Sequence, residues 1–77
     1  MKIIWLRWRD SQYQFSQQSL EEAIESKVAI LETVGHLVSE DSDRVVVAGD
    51  WLASEKDVRC VTAIPVENIV ERRVLSE

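Results

Sequence analysis

The sequence contains a single cysteine, Cys60, and so cannot form an internal disulfide. Small secreted domains usually depend on disulfides, so this composition favours a reducing compartment and predicts a cytoplasmic protein. No apolar run approaches the roughly 20 residues that span a bilayer, and no membrane partner is expected. Arg7 and Arg9 interrupt the apolar N-terminus, and no small-residue cleavage site follows, which argues against a signal peptide.

Glycine is also scarce, with two residues in the chain, and the sequence has no glycine-rich phosphate loop, HExxH or GxSxG motif. His36 and Cys60 are each isolated, whereas a metal site or a cysteine nucleophile needs further ligands or a base. The two could pair only if folding makes their strands neighbours; otherwise Cys60 is expected to be a small core residue. The sequence therefore predicts no enzyme, no cofactor and no metal site.

Acidic residues outnumber basic ones, 14 to 9, which gives a net charge of −5. The electrostatic field of a negatively charged chain repels phosphate, which counts against strong nucleic-acid binding unless a local basic patch overrides it. Glu40, Asp41 and Asp43 lie close together, but their spacing fits no EF-hand loop. They predict a solvated turn between two strands.

A length of 77 residues, of which 45% are hydrophobic and 30% charged, predicts one globular domain over residues 1–77. No internal repeat or low-complexity segment divides the chain. A domain of this length has a modest core, so association into a homo-oligomer would hide further apolar surface.

β-Branched and aromatic residues concentrate in five stretches that favour strands. Residues 44–52 form the most convincing strand because their apolar run is nearly continuous. Gly35 interrupts another stretch and would suit a bulge or a strong bend. The predicted strands are residues 2–8, the stretch after Val28, and residues 44–52, 58–64 and 69–75.

One helix is predicted between the first two strands. Ser19 and Glu22 have the spacing of a capping box, which places the start of the helix at Leu20. Apolar residues at helical spacing extend it to Lys27, with glutamates on the outer face.

Two connections carry further signals. Residues 10–18 are polar apart from Tyr13 and Phe15, and both rings of this loop are expected to pack against the rest of the domain. Pro65 ends a strand, and residues 66–68 are expected to make one helical turn. Together these elements predict the α+β class, with one short helix and a five- to six-stranded bent antiparallel sheet or small barrel. Closing the barrel, or pairing edges between subunits, would remove the exposed edges.

The second half of the chain, roughly residues 33–75, contains a TVG strand, an acidic hairpin, a VVVA strand and an IP-x-x-x-I pattern near the C-terminus. In this pattern it resembles a group of short uncharacterised phage and prophage proteins. That group resembles the Sm-like small barrel, in which a helix precedes five bent strands and a one-turn helix leads into the last strand. The resemblance implies fold more than activity. The Sm RNA-binding motifs are absent, and Ile64 and Pro65 stand where the bacterial members carry a basic, aromatic pair.

Aromatic residues provide the candidate partner-binding surface. Alternation places Trp5 and Arg7 on one face of the first strand and Trp8 on the other, so at least one tryptophan should be in the core. Tryptophan is favoured at binding hot spots. The candidates for partner binding are Trp8, Tyr13 and Trp51. We predict a phage- or prophage-encoded, non-enzymatic accessory protein that binds a host protein through this surface or through an exposed strand edge.

The alternative function is an Sm-like oligomer that binds RNA or a nucleotide-type ligand. Tryptophans among cations near the N-terminus could stack bases and hold phosphates, and residues 1–9 carry a charge of +3. Because the whole chain is acidic, this function requires the basic residues to gather on one face. Those residues are Lys2, Arg7, Arg9, Arg72 and Arg73.

Overall fold

The computed structural model describes residues 1–77 as a five-stranded antiparallel sheet with one short helix. The strands are β1 (Ile3–Asp10), β2 (Ala29–Glu40), β3 (Arg44–Leu52), β4 (Asp57–Pro65) and β5 (Ile69–Ser76). Helix α1 (Leu20–Ile24) lies between β1 and β2, and a 3-10 turn (Val66–Asn68) joins β4 to β5. The predicted antiparallel sheet with one short helix is confirmed, as is the helical turn after Pro65.

The strand order is β4-β3-β2-β1-β5, and every neighbouring pair is antiparallel. The 3-10 turn carries the chain from one side of the sheet to the other: Pro65 pairs with Arg44 on β3, whereas Ile69 pairs with Trp8 on β1. The amide of Val66 holds this crossing by donating to the Asp43 carbonyl at 2.9 Å. β4 and β5 remain as free edges. Of the two predicted alternatives, a bent sheet or a closed barrel, the structure therefore shows the open sheet.

β2 changes its partner near Gly35. Its first part, up to His36, pairs with β1, and its last part, from His36 onward, pairs with β3. A Cβ atom at Gly35 would lie 2.8 Å from the Ala48 carbonyl oxygen. Gly35 therefore allows the backbones of β2 and β3 to approach closely, whereas the shift in pairing register lies between Leu37 and Ser39.

Gly35→Ala is expected to destabilise the fold by about 1–3 kcal/mol, because the added methyl group meets backbone that cannot rotate away. Gly49→Ala is the matched control, since its Cβ would lie 3.1 Å from the Cβ of exposed Cys60, a smaller overlap than the 2.8 Å approach to backbone at Gly35. Urea denaturation of both variants measures the difference. Equal losses of unfolding free energy would show that the close approach at Gly35 is not specific.

The core is small and comes from two parts of the sheet that face each other. β1 contributes alternate residues Ile4, Leu6 and Trp8, with Leu37 and Ile69 packed against the cluster. From the other side come Val45, Val47 and Ile64. The indole Nε1 of Trp8 donates to Thr33 Oγ1 at 2.9 Å, so the ring is buried with its polar atom satisfied. The prediction that one N-terminal tryptophan belongs to the core is confirmed for Trp8.

The molecule is extended for its mass. Its radius of gyration is 15.7 Å, against about 11.5 Å for a compact chain of this length. Its accessible surface is 5998 Å², whereas a compact monomer of this mass exposes about 4,800 Å². Only 8 of 77 residues are buried, so much of the apolar surface of this chain is not covered by its own fold.

Candidate protein-interaction site

Segment 11–28 connects β1 to β2 and contains α1. The Oγ of Ser19 caps the helix by accepting a hydrogen bond from the Glu22 amide at 3.2 Å, as the sequence predicts. The helix ends at Ile24 instead of Lys27. Isolated short helices are marginal in water, and α1 buries no residue against the sheet that would extend it.

The large apolar side chains of segment 11–28 lie in water. Tyr13 and Phe15 are 84% and 91% exposed, and Leu20 and Ile24 are 83% and 80% exposed. α1 makes at most isolated contacts with any strand. The prediction that Tyr13 and Phe15 pack onto the domain is therefore wrong, because side chains of the sheet itself already fill the core.

Two shallow concave surfaces border this segment. One is lined by Glu21, Glu22, Ile24 and Glu25. The other is lined mainly by polar side chains between residues 12 and 29. Neither contains a histidine or a cysteine. Glutamates and exposed apolar side chains therefore lie side by side on this segment.

The three aromatic candidates for partner binding lie on different elements. Tyr13 is in segment 11–28, and Trp51 is half-buried near the end of β3, opposite Val58. Trp8 is 8% exposed and belongs to the core. A partner could contact Tyr13 directly and Trp51 in part, whereas the structure leaves almost none of Trp8 available.

Trp5 lies at the centre of a second exposed surface, on the face of β1, β2 and β5 opposite the core. The guanidinium carbon of Arg7 lies 5.3 Å from the centre of its ring, and that of Arg73 lies 5.2 Å away. We call this surface the outer face. By strand alternation and register it consists of Ile3, Trp5, Arg7, Arg9, Ile30, Glu32, Val34, His36, Glu71, Arg73 and Ser76.

The basic candidates for nucleic-acid binding do not form one free cationic surface. Arg7, Arg9 and Arg73 share the outer face, whereas Arg72 pairs opposite Leu6, whose side chain points into the core. All but Arg9 have carboxylate partners. The ion pairs are Arg7 with Glu32 and Glu71 at 3.7 and 3.4 Å, Arg73 with Glu71 at 2.7 Å, Arg72 with Glu40 at 2.6 Å, and Lys2 with Glu77 at 3.8 Å. Local neutralisation of this kind weakens attraction to phosphate.

The acidic residues at 40–43 form the predicted turn between β2 and β3. The Asp41 carboxylate accepts hydrogen bonds from the amides of Asp43 and Arg44 at 2.8 and 2.9 Å. These bonds hold the pKa of Asp41 below its ordinary value of 3.8. A hydrogen bond from Arg72 lowers the pKa of Glu40 in the same way. No group of three or more metal-ligating side chains occurs in the structure.

The lowered pKa of Asp41 predicts a loss of stability in acid. A carboxylate whose pKa is lower in the folded state stabilises the fold above its unfolded pKa, and this contribution disappears as pH falls through the folded value. Asp41→Asn keeps a side-chain acceptor but removes the titration. Below pH 3.8, which is the ordinary pKa of this carboxyl group, the urea midpoint of the variant should fall less steeply than that of the wild type. Asp43→Asn, which removes a carboxylate that accepts no backbone amide, is the control; equal flattening in both variants would contradict this assignment.

His36 and Cys60 do not form a pair. They lie on β2 and β4, which β3 separates. Cys60 is exposed and has a φ of 58°, in the left-handed region, so the prediction that it is a core residue is wrong. The Nδ1 atom of His36 is buried without a hydrogen-bond partner. The structure therefore places the only histidine and the only cysteine in separate surroundings.

In comparisons with known proteins, no family model, no curated protein and no solved structure matches this chain. Neither α1 nor the 3-10 turn has the length and hydropathy that a helix needs to cross a membrane.

Proposed function

We propose that this chain is a non-enzymatic accessory protein of phage or prophage origin that acts by binding a protein of the host. Segment 11–28 is the docking element in this proposal. The observation that carries it is the exposure of Tyr13, Phe15, Leu20 and Ile24, each at least 80%, on a segment that does not pack onto the sheet. The phage or prophage origin, and the likeness to Sm-like barrels, rest on the sequence pattern of the second half of the chain.

Burial of these four side chains would supply the binding energy. Covering one large apolar side chain contributes about 1.5–3 kcal/mol, and aromatic residues often dominate the energy of protein interfaces. The segment makes few contacts within the chain, so it can adjust to a partner without disturbing the core. The free edges β4 and β5 offer a further route by strand addition, but neither strand contains an aromatic residue.

The alternative function, binding of RNA or a nucleotide-type ligand by an Sm-like oligomer, has less support. Four of its five basic residues already pair with carboxylates. The fifth, Arg9, lies on the outer face without a carboxylate partner. A single free arginine on a chain of net charge −5 provides little of the electrostatic attraction that phosphate binding needs.

Affinity capture from nuclease-treated bacterial lysate tests the proposal. The immobilised wild-type chain should retain one host protein in stoichiometric amount, and a Leu20→Gln/Ile24→Gln chain should retain much less of it. The purified host protein should then bind the purified chain directly. Retention of nucleic acid in untreated lysate, with no host protein after nuclease treatment, would instead support the alternative.

A further inference from the structure

We propose that, when no other partner is present, segment 11–28 of one copy docks on the outer face of a second copy and forms a homodimer. This inference goes beyond host-protein binding and does not depend on it. Each copy contributes one segment and one outer face, so the dimer covers both exposed surfaces of each copy. A two-fold dimer repeats such a contact twice.

The surplus surface of the monomer matches what an interface requires. The accessible surface of 5998 Å² exceeds that of a compact monomer of this mass by about 1,200 Å². A standard protein interface buries about 800 Å² on each partner. The exposed surface is therefore sufficient for one subunit's share of a stable dimer.

The two surfaces are complementary in charge. Segment 11–28 carries three glutamates against one lysine, a net charge of −2. The outer face carries three arginines against two glutamates, a net charge of +1. Arg9 has no carboxylate partner within its own chain, so its charge is free to attract Glu21, Glu22 or Glu25 of the second copy.

The apolar parts of the two surfaces also match. Leu20 and Ile24 are four residues apart and so lie on one side of α1. On the outer face, Ile30 and Val34 are also four residues apart and are 55% and 56% exposed. Val34 lies directly opposite Trp5 in the β1–β2 ladder. Ile30 and Val34 thus flank the Arg7–Glu32 ion pair on the outer face. They offer two apolar contact points for a short helix whose apolar side is bordered by glutamates.

Sedimentation velocity of the purified chain, from low micromolar to millimolar concentration, tests the inference. The mass should rise with concentration from 8.9 kDa towards twice that value. Leu20→Gln/Ile24→Gln should raise the dimer dissociation constant at least about tenfold, because two buried aliphatic side chains are lost. Arg9→Glu should also raise it. Val61→Thr is the control, since Val61 is exposed on β4, three strands from β1, and it should leave the constant unchanged.

Circular dichroism of each variant should match the wild type, because Leu20, Ile24 and Arg9 are exposed in the monomer. A single species of 8.9 kDa at every concentration would overturn the inference. So would a dimer that Leu20→Gln/Ile24→Gln leaves unchanged, because that result would place the contact elsewhere, such as the free edges. A monomeric chain that still binds a host protein would contradict the dimer and support the proposed function. A dimer that binds no host protein would support the dimer and contradict the proposed function.

Discussion

Trp8→Ala is expected to unfold most of the protein at room temperature. Trp8 is the largest side chain of the six-residue core, and its indole also satisfies the Thr33 hydroxyl. Replacing a buried tryptophan by alanine costs about 3–5 kcal/mol. A domain of this length has a total stability of about 4–12 kcal/mol, and the small core places this protein near the lower end. Loss of the far-ultraviolet circular dichroism signal at low urea concentration measures the effect.

Trp5→Ala is the matched control, because it also replaces a tryptophan of β1 by alanine, but on the outer face instead of in the core. Trp5 is only half-buried, and its ring stacks with Arg7 and Arg73. Each exposed cation–π contact contributes about 0.5–1 kcal/mol, so this variant should remain folded with a lower urea midpoint. If Trp5→Ala is as damaging as Trp8→Ala, the division of β1 into a core side and an outer side is incorrect.

Tyr13→Ala/Phe15→Ala should weaken binding of the host protein by at least about 100-fold. Removal of an aromatic anchor from an interface commonly costs 2 kcal/mol or more, and about 1.4 kcal/mol corresponds to tenfold in affinity. Both rings are more than 80% exposed in the free chain, so the melting temperature should not change. Isothermal titration with the purified host protein measures the loss.

Tyr13→Phe provides the conservative control for that experiment. It keeps the aromatic ring and removes only the hydroxyl, so most of the affinity should remain. Val61→Thr, at an exposed site on β4, should leave affinity unchanged. Full affinity in the double alanine variant would show that the host protein contacts another surface.

The strands of this fold could be predicted from the sequence because their signal is local. Residues 44–52 form a strand over the predicted range, and Pro65 followed by residues 66–68 makes the predicted turn. In each case the pattern of β-branched residues and the fixed φ of proline act within a few residues. The capping serine at position 19 was predictable for the same reason.

The positions of exposed side chains could not be predicted in this way, because they depend on where distant strands meet. Tyr13 and Phe15 were expected to pack, since aromatic side chains usually find a core, but Ile64 and Ile69 from the far end of the chain help to fill it. Likewise, Trp5 and Arg7 are neighbours in sequence, whereas Arg73 reaches the same ring only through the β1–β5 register. Local alternation carries no information about that pairing.

Amide hydrogen exchange tests the central claim most directly. It compares the free chain, at a concentration where it is monomeric, with the chain in complex with the captured host protein. In the free chain, amides of residues 11–28 should exchange quickly and those of β1 slowly, because the segment does not pack onto the sheet. In the complex, protection should appear over residues 11–28. Protection confined to β4 or β5, with residues 11–28 still exchanging quickly, would contradict the assignment of this segment as the docking element.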